Sequence, residues 1–526
     1  MKTLNKQSLF ELLSSRFESQ EKKLSQIPNP ALLKDATKSA KRIATAIRAK
    51  EKITLVGDYD VDGISSSAIV VEFFKKIPYS LEAIIPNRFR DGYGVSPNIL
   101  ERVDADLIIT VDNGITAIEA ARICKERGID LIITDHHTPG DELPDAYTIV
   151  DPKLDDCEYP FKEICGAQVA WLLLALVKKE LSLNIDMKEF LDILAIAIIA
   201  DIMPLIDINR TLVREGLKVL MNSQRPASII IRDFLNKSSI SSEDISFQIA
   251  PRINSAGRLK DASIALEFFT ADTVQKAYEQ FEKLSLLNEL RKETEQEATS
   301  QALLEVNEDD RIIVVASENW HEGVVGIVAS RLVDKFSKPA IVLSIKDSVA
   351  KGSARSIGEV NIYKLIKANE HLLTRFGGHK MAAGLGLMEQ DIESFRVAIN
   401  KSASLLHADD FIAKDEVLGI LDAEDIDYDL LNLLESFEPF GEANNRPSFL
   451  LKDAEVVDIK LMGSDNSHSR ITLRQYPHQT KTIQIIAFRT ILEMPQNRKL
   501  TCSYRVSKNE YNNRVSTQLL LNKLYS

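Results

Sequence analysis

Three short apolar runs rich in β-branched residues mark the first half of the chain: KITLV (52–56), ADLIIT (105–110) and IDLIIT (129–134). A run of this length that is apolar on both alternating faces is the pattern of a strand buried in a parallel sheet. Between the runs the hydrophobic spacing widens to the helical period, as in ISSSAIVVEFFKKI (64–77). A later segment, LDILAIAIIADIMPLID (191–207), is apolar nearly all round. It predicts a buried helix that closes at Asp201, with Pro204 as the stop. Residues 51–265 therefore read as an α/β domain, a parallel sheet flanked by helices. Residues 1–50 read as a helical segment before it, ATKSAKRIATAIRAKEK (36–52) being the clearest case.

The pattern changes twice more. Residues 271–307 are charged and largely free of Gly and Pro, which predicts one connector helix of about 50 Å. Residues 308–405 return to α/β, with RIIVVAS and PAIVLSI as strands and VVGIVASRLVDKF as a helix. From 408 to 526, FLLKDAEVVDIKLMG, SRITLRQY, KTIQIIAF and KLTCSYRVSKNEY alternate between turn signals, which predicts a small β-barrel.

Composition adds three points. A length of 526 residues calls for several domains. The net charge of −12 argues against a polyanionic partner, yet residues 446–526 carry 13 Lys and Arg against 6 Asp and Glu. That surplus suits the predicted barrel to an oligonucleotide, although the aromatics there (Phe440, Tyr476, Phe488, Tyr504 and Tyr511) must be divided between core and surface. Four cysteines without CxxC spacing indicate a reducing compartment and no structural zinc. No apolar run is long enough to span a bilayer, and the N-terminus lacks a signal-peptide core, so a cytoplasmic protein without membrane association is expected.

Chemistry gathers where the strands end. KITLV leads into GDYDVDG, which crowds Asp58, Asp60 and Asp62 into seven residues. The second run leads into Asp112-Asn113-Gly114 and the third into Asp135-His136-His137. Like charges this close raise one another's pKa unless something neutralises them, and a metal cation does so directly. Open α/β sheets place their sites at this carboxyl edge. A solvated acidic turn is the bland reading of GDYDVDG, and a simple cap is that of Asp201. The recurrence of acids and imidazoles on three strands of one type weighs against both. Further along, Ser353 and Arg355 in GSARS form a hydroxyl-plus-guanidinium pair suited to phosphate. Arg258 in PRINSAGR reads as an anion clamp in a loop. Gly377-Gly378 favour neither helix nor strand, and with His379 they offer backbone amides and a donor to a phosphate.

In this order, D-x-D-x-D-G, D-N-G, D-H-H and an Asp after an apolar helix resemble the DHH phosphoesterase superfamily. The closest likeness is to its RecJ branch of single-strand-specific exonucleases. IPNRFRDGYGVS (85–96), APRINSAGRL (250–259), NWHEGVVGIVASRL (319–332), GSARSIG (352–358), RFGGHKMAAGL (375–385) and EPFGEANNRPSF (438–449) extend the resemblance over roughly residues 30–500. It implies a DHH domain, a connector helix, a DHH-associated domain that binds the nucleic-acid strand, and a C-terminal OB-like barrel. It implies Asp60, Asp62, Asp112, His136 and Asp201 as ligands of two divalent ions, Mn²⁺ or Mg²⁺, with Asp112 the bridge. Asp58 stands as a further ligand or an outer acceptor, His137 faces the scissile phosphate, and Asp135 orients a ligand or the turn. Arg88 matches the arginine that grips a terminal 5′ phosphate.

The activity so implied is 5′→3′ hydrolysis of single-stranded DNA to 5′-mononucleotides in recombination and repair. A helicase and a single-strand-binding protein are the partner classes it brings into view, and a monomer is expected. Pyrophosphatases of the superfamily carry a His four residues before the first Asp of their D-x-D, where this chain has Val56. The alternative is a phosphodiesterase of short oligonucleotides or cyclic dinucleotides, which would share the metal core without needing the barrel.

Overall fold

A computed structural model of the chain describes residues 2–16, 22–412, 416–463, 466–511 and 514–525. Residues 510, 511, 514 and 515 are described by their backbone only, so the side chain of Tyr511 lies outside the description. The chain divides into two compact units: Met1–Pro251 with Ala265–Gln280 and Glu416–Ser526, and Arg252–Ile264 with Phe281–Asp415.

In the first unit the three apolar runs form strands Ile53–Val56, Leu107–Val111 and Asp130–Thr134, joined by Glu82–Ile84 and Thr148–Val150. All pair in parallel, in the order Glu82–Ile84, Ile53–Val56, Leu107–Val111, Asp130–Thr134, Thr148–Val150. Burial on both faces explains their continuous hydrophobicity. Helix Leu191–Ala200 is buried along nearly its whole length and Asp201 caps its end.

The same unit holds a barrel of strands Val417–Leu421, Ser448–Met462, His468–Arg474, Ile483–Ala487, Arg514–Tyr525 and Lys499–Tyr511, closed by pairing of Ser448–Met462 with Lys499–Tyr511. Full closure leaves the barrel no free edge there. Phe440, Phe449, Leu451 and Tyr504 are among its core. The segment 1–50, expected to be helical, also contributes a short strand. Helices Lys6–Ser15 and Ala36–Ala49 form, but Thr3–Leu4 is a strand parallel to Val417–Leu421, and Leu9 and Leu13 fill the barrel core.

The connector helix runs unbroken over Val274–Glu305. In the second unit the sheet order is Arg375–Gly378, Ala382–Met388, Val349–Arg355, Ala340–Lys346, Ile313–Ser317. Separate apolar cores lie against it, one including Phe395 and Ile399, the other Trp320 and Val328. Two local expectations fail. PRINSAGR is no loop but lies in helix Ala250–Leu259. Gly377 and Gly378 belong to a strand, because pairing with Gly384 and Ala383 and a φ of 142° at Gly378 let a glycine pair finish a hairpin arm.

Candidate active site

The strand ends of the parallel sheet are level. Val56 pairs with Thr110, Val111 with Thr134, and Thr134 with Val150. Residues just beyond these positions therefore reach one edge from separate parts of the sequence. Asp60 caps helix Val61–Phe74, its Oδ1 accepting the Gly63 N–H at 3.1 Å. Asp62, in the first turn of that helix, faces the start of helix Gly166–Glu180. Its two oxygens accept the N–H groups of Gly166 at 2.6 Å and Ala167 at 2.9 Å. An anion is favoured there, where helix N–H groups have no partner of their own. Asp112 adopts a left-handed conformation, φ 62°.

His136 draws the set together. Its Nε2 lies 3.1 Å from Asp112 Oδ1, 3.5 Å from Asp62 Oδ2 and 3.6 Å from Asp201 Oδ2. Donor atoms cluster within 4.8 Å in three sets: Asp112–His136–His137, Asp62–His136–Asp201 and Asp58–Asp60–Asp112. Asp112 and His136 each belong to two of them. Asp58 Oδ1, Asp112 Oδ1, Asp201 Oδ2 and His136 Nδ1 are buried and make no hydrogen bond. Orphaned donors and acceptors of this kind are costly unless a ligand satisfies them. Carboxylates with one imidazole fit Mg²⁺ or Mn²⁺, the nitrogen favouring Mn²⁺.

The electrostatics agree. Burial, reinforced by the neighbouring acids, pushes Asp58, Asp60, Asp112 and Asp201 above the ordinary carboxylate range. Burial lowers His136, favouring the neutral ring that can ligate. His137 behaves differently. Burial opposes its charge, but the Asp135 carboxylate 2.7 Å from Nδ1, together with the charges of Asp201 and Asp60, more than offsets burial and raises it to about 9. Asp135 is itself fixed by the N–H groups of Ile115, His136 and His137.

Arg88, singled out in the sequence, lies over the Tyr59 ring, 5.4 Å from its centroid, beside the acids. Three neighbours escaped the sequence reading. Tyr93 donates its hydroxyl to the Asp112 carbonyl at 3.3 Å and stands edge-on to His137 and Tyr59. Gly166 admits no side chain, since a Cβ there would sit 2.6 Å from both Cβ and Oδ1 of Asp112. The sequence signal for Gly166 was a small residue opening an apolar helix, too common to single out. Asp151, just past strand Thr148–Val150, is also buried, and burial raises it to about 7.

The remaining candidates belong to the second unit. Arg355 Nη1 donates to Ser353 Oγ at 2.7 Å and to the Ala354 carbonyl, and makes no ion pair among the described residues. Helix Val325–Phe336 starts beside them, Gly326 leaving room for both side chains. Arg258 donates to the Gly323 carbonyl at 3.3 Å. Gly377, Gly378 and His379 are exposed at the hairpin end. Trp320 is core, its Nε1 donating to Gln301. In the barrel Phe440 and Tyr504 are buried, whereas Phe488 is exposed and stands edge-on to His468.

A parallel sheet whose level edge delivers D-x-D-x-D-G, D-N-G and D-H-H, closed by an aspartate from a buried helix, defines a metal-dependent phosphoesterase of the DHH type. The comparisons agree: residues 52–198 match the DHH family N-terminal domain, 309–404 the DHHA1 domain and 419–523 the RecJ OB domain. The single-stranded-DNA-specific exonuclease RecJ of Haemophilus influenzae is 30% identical over 95% of this chain and 92% of its own length. That of Bacillus subtilis is 36% identical over 94% of this chain, which spans 64% of that relative's length. The crystal structure of RecJ in complex with Mn²⁺ from Thermus thermophilus superposes with a TM-score of 0.82 at 27% identity, covering 100% of this chain and 79% of that one. The chain belongs to the RecJ family of single-stranded-DNA-specific exonucleases.

Proposed function

We propose that this chain is a two-metal exonuclease that hydrolyses single-stranded DNA from the 5′ end and releases 5′-mononucleotides. The observation that carries this reading is the convergence of unpartnered carboxylate oxygens and one neutral imidazole at a single sheet edge. Asp60, Asp62, Asp112, His136 and Asp201 would hold Mn²⁺ or Mg²⁺, with Asp58 beside them and Asp112 common to two of the donor sets. Bound there, such ions would supply Lewis acidity toward a phosphoryl oxygen and toward water.

The side chains complete the work. Asp135 holds a proton on His137 Nδ1, which turns Nε2–H toward the phosphate as a charged donor. Arg88 receives the terminal phosphate, and Tyr59 beneath it fixes the guanidinium plane. Within the second unit, Ser353, Arg355 and Arg258, with the hairpin end Gly377–His379, are suited to phosphates of the nucleic-acid strand. The OB-type barrel supports a long strand as substrate over a dinucleotide. Work on DNA in the cytoplasm as a monomer, alongside a helicase and a single-strand-binding protein, completes the proposal. Four free, buried cysteines suit a reducing compartment, and among the described residues no helix is long and apolar enough to cross a membrane.

The test compares 5′- and 3′-labelled DNA and RNA strands with added manganese. Release of label as mononucleotide from the 5′-labelled DNA strand ahead of the 3′-labelled one is expected, and the RNA strands report whether a 2′-hydroxyl is tolerated. Asp112→Ala should abolish hydrolysis and leave strand binding largely intact. Near-normal turnover by that variant would remove the metal reading.

A further inference from the structure

Ile202 follows the candidate ligand Asp201 directly. Helix Leu191–Ala200 ends in a doubly bonded turn, the Ile202 N–H donating to the Ile199 carbonyl at 3.2 Å and the Met203 N–H to the Ile198 carbonyl at 3.1 Å. This closure requires a left-handed residue after the cap, and Ile202 has a φ of 55°. Helices ordinarily put Gly or Asn at that position. A β-branched residue is crowded there and is a true outlier. The fold returns nothing for the strain, because the Ile202 side chain is 68% exposed. Three residues on, Leu205 is 2% exposed and packed, so the turn can bury an apolar side chain where that serves stability. A strained, exposed, apolar side chain thus stands one residue from the candidate metal ligand Asp201.

We infer that Ile202 is a substrate-contacting residue, its side chain packing against the base of the nucleotide whose phosphate lies at the metal site. The inference rests on the exonuclease reading. Apolar contact with the face of a base is tolerant of sequence, since every base has one, and this suits an enzyme that must remove each nucleotide in turn. Position supports it as well: the side chain is carried by the residue adjoining Asp201, on the solvent side of a helix whose other residues are core.

The experiment uses the full chain with manganese and a 5′-phosphorylated single strand, comparing wild type with Ile202→Asn, Ile202→Gly and Ile202→Leu. Asn and Gly suit the left-handed turn, so both variants should fold, with melting midpoints at or above wild type. The expected result is a KM raised roughly fivefold for Asn and Gly, the scale of one lost apolar contact, with Leu close to wild type. On a strand whose terminal nucleotides lack bases, the gap between wild type and Ile202→Asn should close. Unchanged KM in Asn and Gly with a raised midpoint would overturn the inference and leave Ile202 a mere helix end. An equal gap on the abasic strand would overturn the base contact. A wild type that cuts no strand would sink the exonuclease reading instead.

Discussion

At the scale of single residues, the site depends on one that carries no chemistry. Gly166 lets a helix start against Asp112 while its N–H, with that of Ala167, holds Asp62. Gly166→Ala should lower Mn²⁺ affinity roughly tenfold or more, as losses of supporting groups around ligands do, while the metal-free fold loses about 1–3 kcal/mol to crowding. Calorimetric titration with Mn²⁺ checks the first figure, and metal-free melting checks the second. The crowded acids give a pH signature. Asp58, Asp60, Asp112 and Asp201 sit above their unfolded values, so the cost of burying their charges, added to by mutual repulsion, destabilises the metal-free protein once pH passes those values and is relieved as pH falls and they take up protons. Manganese must displace the same protons. The rise in melting midpoint on adding Mn²⁺ should therefore be larger at pH 8 than at pH 6 and vanish with a chelator. Equal rises at the two pH values would contradict the coupling.

At the scale of elements, the segment 85–96 shows why Arg88 could be noticed in the sequence but not placed. Asp91, with a fully buried side chain, accepts from Arg90, from both Nη atoms of Arg102 and from the Asn87 N–H, and this network ties the segment that carries Arg88 to the turn holding Arg102. The hydrogen bonds from Arg90, against the opposing effect of burial, hold Asp91 far below the usual carboxylate range. Its contribution is thus complete above the ordinary aspartate value of about 3.9 and fades as pH falls beneath it. Asp91→Asn should cost about 1–2 kcal/mol at pH 7, towards the low end for charged hydrogen bonds because both arginines face solvent. The difference from wild type should shrink toward pH 3, as melting curves across that range would show. The glycine pair 377–378 carries a related lesson. Its composition gives no strand signal, and only pairing with a neighbouring arm makes it one.

At the scale of the whole molecule, the barrel is fastened to the catalytic domain from both ends of the chain. Thr3–Leu4 extends its sheet and Leu9 and Leu13 fill its core. The loop 437–446 reaches the other way: Arg210 donates to the Phe437 carbonyl, Leu205 N–H to the Glu442 carbonyl, and Arg446 pairs with Glu243 and Glu438. Removing 416–526 alone should leave apolar Leu9 and Leu13 uncovered and an aggregating product. Removing 1–16 together with 416–526 should give a soluble core that cuts short oligonucleotides at near wild-type rate and long strands about tenfold less efficiently, with a shallower salt dependence. Equal efficiency on long strands would favour the short-substrate alternative.

The sequence by itself determined the sheet and its buried strands, the connector helix and the barrel, because each is written in local periodicity and burial pattern. It also determined which acids and imidazoles stand at strand ends. Only the tertiary structure decided that Asp62 meets a helix beginning a hundred positions later, that Tyr93 and Arg88 stand beside the acids, and that the first residues belong to the last domain. Those relations are set by strand register and by packing between distant segments, and neither leaves a mark on the spacing of residues along the chain.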